Sequence, residues 1–136
     1  MSVPPELKER SYPLQRHLGY RLMSWSEGEA TVEQPMLTHL ENRQGLPHGG
    51  VHATLLDTAM GYAGCFTGDP DAKQMALTLS LNVNYLSRPS EACTRLIATA
   101  RMTGGGRSTF FAEGEVREET GELIATGTGV FRYRKG

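Results

Sequence analysis

The sequence predicts an α+β fold, a single antiparallel sheet packed on one long helix, and three observations predict it. The stretch from Gly49 to Phe66 is rich in alanine, leucine and methionine, the composition of a helix. After it, apolar and polar residues alternate with period two through four segments divided by tight-turn residues. A shorter pair of such segments precedes it. Hairpins around one helix make an α+β domain, because a sheet face and a helix must bury each other's apolar surface.

Each element follows from its own residues. Residues 1–17 read as a lead-in to one domain spanning residues 1–136, with a short helical piece around Pro13 to Leu18. Strands are expected near Tyr20 to Trp25 and Glu29 to Gln34, joined by the turn residues Ser26-Glu27-Gly28. Pro35 lacks an amide hydrogen and should end the pairing. Met36 to Pro47 reads as a loop, and Gly49 to Phe66 as the helix. Thr67 to Lys73 is a second loop. In the next strand Leu77, Leu79, Leu81, Val83 and Tyr85 should share one face, with Thr78, Ser80, Asn82 and Asn84 on the other. Turns at Arg88-Pro89-Ser90, Gly104-Gly105-Gly106 and Thr120-Gly121 separate strands from Cys93 to Met102, Ser108 to Arg117 and Glu122 to Tyr133.

Composition narrows the function classes. The chain of 136 residues carries a net charge of −1, so no global field draws it to nucleic acid or anionic lipid. The N-terminus lacks a signal-peptide core, and the longest weakly charged stretch is too short and polar to span a bilayer. The isolated Cys65 and Cys93 read as reduced, buried thiols of a cytoplasmic protein. No ligand spacing suggests a metal or other cofactor.

The helix is unusual. Between Arg43 and Asp69 its one formal charge is Asp57, flanked by Leu55, Leu56, Ala59, Met60 and Gly61. A helix apolar all round must be buried all round, which points to a second subunit. An unpaired buried carboxylate is costly, by several kcal/mol. Asp57 therefore either pairs with an arginine or caps a loop, or its apolar site tunes it for base or nucleophile chemistry. At the helix start, His48-Gly49-Gly50 leaves backbone amides unscreened where a carbonyl gaining negative charge could lie, or else the glycines merely permit a tight turn. Eight residues of helix separate Gly49 from Asp57 by about 12 Å. Two antiparallel copies of the helix across a two-fold axis would bring one start to the other's middle.

Asn42-Arg43-Gln44-Gly45-Leu46-Pro47-His48-Gly49-Gly50, followed by Leu55-Leu56-Asp57 and Gly61, resembles the signature of hotdog-fold thioesterases of the phenylacetate-pathway and 4-hydroxybenzoyl-CoA type. The resemblance runs from about Leu18 to Tyr133. It implies a sheet wrapped around the central helix, a homodimer joined by strand pairing, a dimer of dimers, and hydrolysis of an acyl-CoA to free acid and CoA. In that pattern the Gly49 amide and the Asn42 side chain polarise the thioester carbonyl. Asp57 of the partner activates water or attacks the carbon, and His48 braces the loop. Thr78 supplies a hydroxyl near that water, or is a solvent-facing strand threonine.

For the CoA end, Gly50, Arg88, Gly106, Arg107 and Ser108 fall in segments resembling those that border the nucleotide; arginines offer planar donors to phosphate. Ser87 and the residues after Pro89 depart from the pattern. Two other readings use the same fold: a hydratase or dehydratase drawing on His39, His48 or His52, and a binding protein without turnover. Leu56, Met60, Tyr62 or Phe66 would line an acyl pocket gated by Met36, Leu37 and Leu40.

Overall fold

The structure, a computed structural model, describes residues 2–135. After a 3-10 turn at Pro5–Leu7, the short helix α1, Pro13–Leu18, ends at Gly19. The hairpin of β1, Arg21–Ser26, and β2, Glu29–Pro35, turns at Gly28, whose φ of 74° suits glycine. The long helix α2 runs from Gly49 to Cys65. Then come β3, Gln74–Tyr85, β4, Arg95–Gly105, β5, Thr109–Glu118, and β6, Leu123–Lys135.

All pairings are antiparallel, and the order across the sheet is β1-β2-β4-β5-β6-β3. β3 leaves the helix to land at the far edge beside β6. The sheet bends round α2, which touches every strand, so the expected hotdog arrangement is what the chain forms. Leu55, Leu56, Ala59 and Met60 of α2 are fully buried against Val32, Leu96, Ala98, Phe110, Val116 and Ile124. The Phe110 and Phe131 rings stack with centroids 4.9 Å apart, an arrangement worth about 0.5–1.5 kcal/mol beyond the area it buries. Gly64 makes room for that stack, since a Cβ there would fall 2.1 Å from Phe110 Cε2.

The elements match the sequence expectations with small shifts. Pro35 is the last paired residue of β2, opposite Arg95. β4 continues through a bulge to Gly105, so its turn into β5 is tighter than three glycines suggest; the Gly106 amide donates to the Thr109 carbonyl at 2.8 Å. Cys65 and Cys93 are free and buried. Burial first of all pushes both thiols up to about 11. No helix among the described residues is long and apolar enough to cross a membrane.

The alternation expected along β3 is corrected. A bulge at Leu79 lets Thr78 and Ser80 oppose consecutive residues, Phe131 and Val130. The phase of the strand therefore switches there. Leu81 and Val83 face α2, but so do Ala76 and Thr78 on the other side of the bulge. Leu77 turns outward, paired with Arg132, and the extra residue Leu79 is 56% exposed. Met75, Leu77, Leu79 and Tyr85 leave this outer edge strand unusually apolar.

Candidate active site

The start of α2 is built by a tight loop. A bridge between Glu41 and Pro47 closes it. Within it, Asn42 Oδ1 accepts from the amides of Gln44 at 2.9 Å and Leu46 at 3.2 Å. The asparagine is thereby fixed through its oxygen, the Asx-turn geometry that favours this residue type. Its side-chain amide nitrogen makes no hydrogen bond among the described residues. His48 is the N-cap, and its Nδ1 accepts from the Gly50 amide at 2.8 Å. The Gly50 amide, expected to meet CoA, is thus already occupied.

Gly49 is left as the open donor. Its amide makes no hydrogen bond among the described residues. Its carbonyl accepts from the Tyr85 hydroxyl at 2.7 Å, and a Cβ on Gly49 would touch the Tyr85 ring at 3.4 Å. A bare amide at a helix N-terminus carries partial positive charge and suits an oxygen that becomes anionic.

Asp57 sits half-buried near the middle of α2. No cation pairs with it among the described residues. Its partner is Thr78, whose hydroxyl donates to Asp57 Oδ1 at 2.6 Å. The bulge makes this possible: without the change of phase, Thr78 would share the outer face of Ser80. A short hydrogen bond to one oxygen fixes the carboxylate and leaves the other free to take a proton.

Both residues line a cleft of about 400 Å³ with Thr58, Gly61, Tyr62, Trp25, Met75, Phe131 and, from the N-terminal segment, Glu9 and Tyr12. Burial, then a hydrogen bond with Tyr12, raises the Tyr20 phenol far above its usual range, and the charge of Asp57 adds in the same direction. Of the four expected acyl-pocket residues, Tyr62 lines this cleft. Leu56 and Met60 are fully buried and belong to the core, while Phe66 packs edge-on against Trp25. Glu9, Tyr12 and Trp25 carried no signal in the sequence, because they reach the cleft from remote segments.

The remaining expected residues are spread out. Arg88 follows β3 at one end of the sheet. Gly106, Arg107 and Ser108 lie in the β4–β5 turn at the opposite end, where Thr109 pairs with Arg132 and Arg132 with Leu77. One chain therefore does not bring Arg88 and Arg107 together. Ser87, which departs from the pattern, donates its hydroxyl to the Leu123 carbonyl at 2.7 Å and anchors the start of β6. None of the histidines lines the Asp57 cleft: His39 contacts the His17 carbonyl at 3.0 Å, His48 caps α2, and His52 is buried. A wider hollow of about 600 Å³ lies on the outer face of the sheet among Thr31, Thr99, Arg101, Glu113 and Glu115, and no expected site residue lines it.

Comparison with known proteins bears on the family and the fold. The model of the thioesterase superfamily matches residues 44–125, from the Asn42 loop to the start of β6. A conserved protein of Pseudomonas aeruginosa superposes with a TM-score of 0.81 at 30% identity, covering 95% of this chain and 97% of that one. The phenylacetic acid degradation protein PaaI of Thermus thermophilus, solved as a mutant, gives 0.75 at 26% identity over 89% and 98%. A Bacillus halodurans protein crystallised with CoA gives 0.65 at 34% identity over 76% and 66%.

Proposed function

As the chain belongs to the thioesterase superfamily, we propose that it hydrolyses the thioester of an acyl-CoA, with Asp57 as the carboxylate that drives the reaction. The observation that carries this reading is the Thr78–Asp57 pair, a hydrogen-bonded carboxylate at the wall of a cleft that Tyr12, Trp25, Tyr62 and Phe131 help to line. Asp57 takes a proton from water as the water oxygen bonds to the carbonyl carbon, or attacks that carbon directly and is later freed by water. In either course the carbon–sulfur bond breaks, the acid leaves as carboxylate and CoA leaves as the thiol. CoA is the leaving group of choice because the Bacillus halodurans relative carries it.

The carbonyl oxygen would rest on the Gly49 amide and the Asn42 side-chain amide of a second subunit. Within one chain, Gly49 packs on Tyr85 at the end of β3 and Asp57 on Thr78 in its first half. Antiparallel pairing of two β3 edges sets the end of one strand beside the beginning of the other. The same pairing carries Arg88 of one chain toward the Arg107 end of its partner, where both would meet the CoA phosphates with Ser108. A homodimer through β3 also covers Leu77 and Leu79, and the outer sheet face would serve a dimer of dimers. The two reduced thiols suit the cytoplasm.

The test is turnover of acetyl-, hexanoyl-, benzoyl- and phenylacetyl-CoA, followed by the released thiol. Asp57→Asn should remain folded and lose about 10²–10⁴-fold in kcat, the usual contribution of a positioned base. Thr78→Val should lose about tenfold, as expected for a hydrogen bond to a charged group, and Thr78→Ser should recover most of it. Full activity in a folded Asp57→Asn variant would end the proposal.

A further inference from the structure

Two glycines in the second half of α2 have opposite reasons to be there. Gly64 is imposed by packing, because a Cβ would collide with Phe110. Gly61 is not. A Cβ at Gly61 would find a single neighbour, Phe131 Cε2, at 3.9 Å, which is ordinary contact. Its backbone is helical, outside the left-handed region that favours glycine. Glycine inside a helix is less favourable than alanine, and nothing among the described residues asks for it.

The cleft supplies the reason. Gly61 follows Asp57 by one helical turn, so the two share a face of α2, and both line the cleft. The opposite wall is held firmly. Val3 and Leu7 are buried in the core, which anchors the N-terminal segment that brings Tyr12 and Glu9 to the rim. The Tyr12 and Tyr20 hydroxyls are hydrogen-bonded, and the Tyr62 hydroxyl donates to Glu9 Oε1 at 3.3 Å. Trp25 Nε1 donates to the Tyr62 carbonyl at 2.8 Å, and the two rings meet edge-on at 5.2 Å.

We infer that Gly61 is the specificity-determining position of this cleft: its missing side chain is the space into which the acyl group extends when the thioester carbon faces Asp57. Tyr12, Trp25 and Tyr62 bound that space. The ligand's name rests on the thioesterase reading; the space does not. Among the described residues the cleft is lined by two carboxylates, Asp57 and Glu9, and by no lysine, arginine or histidine. It therefore takes an uncharged acyl group and repels one that ends in a carboxylate.

The experiment compares the wild-type protein with Gly61→Ala and Gly61→Val by calorimetric titration with S-alkyl-CoA thioethers of increasing chain length. Methyl-ended and carboxylate-ended probes are included, and melting and light scattering are measured alongside. Expected are tighter binding of longer methyl-ended chains by the wild type and weaker binding of their carboxylate-ended counterparts. Gly61→Val should lose at least tenfold affinity for the long chains while binding S-methyl-CoA within twofold of wild type. Gly61→Ala should move the same way by less, with no fall in Tm, and it decides the matter if Gly61→Val does not fold. An unchanged length profile overturns the inference, as does a changed oligomeric state without a changed profile, which gives the space to a second copy. A wild type that binds no thioether of any length also overturns it. A shifted profile in a protein that turns over no acyl-CoA supports the inference and sinks only the hydrolase reading.

Discussion

His52 is 4% exposed, and its Nδ1 has no hydrogen-bond partner among the described residues. Burial alone lowers its pKa, so the folded chain binds this proton less readily than the unfolded chain, which titrates near 6.5. The sign follows: the contribution of neutral His52 to stability is complete above about pH 6.5 and is lost as pH falls from there toward the lower folded value. Urea midpoints measured at stepped pH should fall below that point, and His52→Phe should flatten this part of the profile. A His52→Phe profile as steep as wild type would place the titration elsewhere. At the same scale Asp57 was legible in the sequence because it is the single charge on an apolar helix. The direction of Thr78 was not, because it depends on which residue of β3 is the extra one. Gly49 and Gly50 look alike in the sequence, and only the His48 side chain tells their amides apart.

Along α2 the two inner glycines separate packing from propensity. Gly64→Ala drives a Cβ into Phe110, a fully buried ring that stacks on Phe131 and lies 5.0 Å from Tyr133, so it cannot retreat. It should destabilise the fold by about 1–3 kcal/mol as overpacking, which outweighs the gain in helix propensity of up to about 1 kcal/mol. Gly61→Ala meets no such ring and should keep that gain. Denaturant melts of the two variants, matched in slope, give the comparison, and equal shifts would refute the distinction. The elements themselves were largely legible. Period two marked the strands, composition marked the helix, and Gly28, Pro35 and Gly121 marked the ends. The face assignment of β3 failed because a bulge leaves no mark in an alternating sequence. Leu-Thr-Leu-Ser-Leu reads as one uninterrupted strand whether or not Leu79 is extra.

For the whole molecule, a site shared across two subunits makes a prediction that a site within one chain does not. Asp57→Asn and Asn42→Ala, each inactive alone, should form mixed dimers after joint unfolding and refolding. Each mixed dimer holds one intact site, so statistical mixing restores about a quarter of wild-type activity. No recovery, with mixed dimers confirmed by mass spectrometry, would put Asp57 and Asn42 in the same subunit's site. What the sequence could not convey at this scale was the cleft wall: Glu9, Tyr12 and Trp25 converge on Asp57 only once β1 and the N-terminal segment have folded over α2. The open edge of β3 has one more consequence. A long strand with free backbone groups and large apolar side chains such as Leu77 and Leu79 is a template for any neighbouring strand. Under the proposed dimer, a newly made chain would face a race between finding its proper mate and clumping with strangers. Dilution would act as an inhibitor, and overproduction without folding time as a poison.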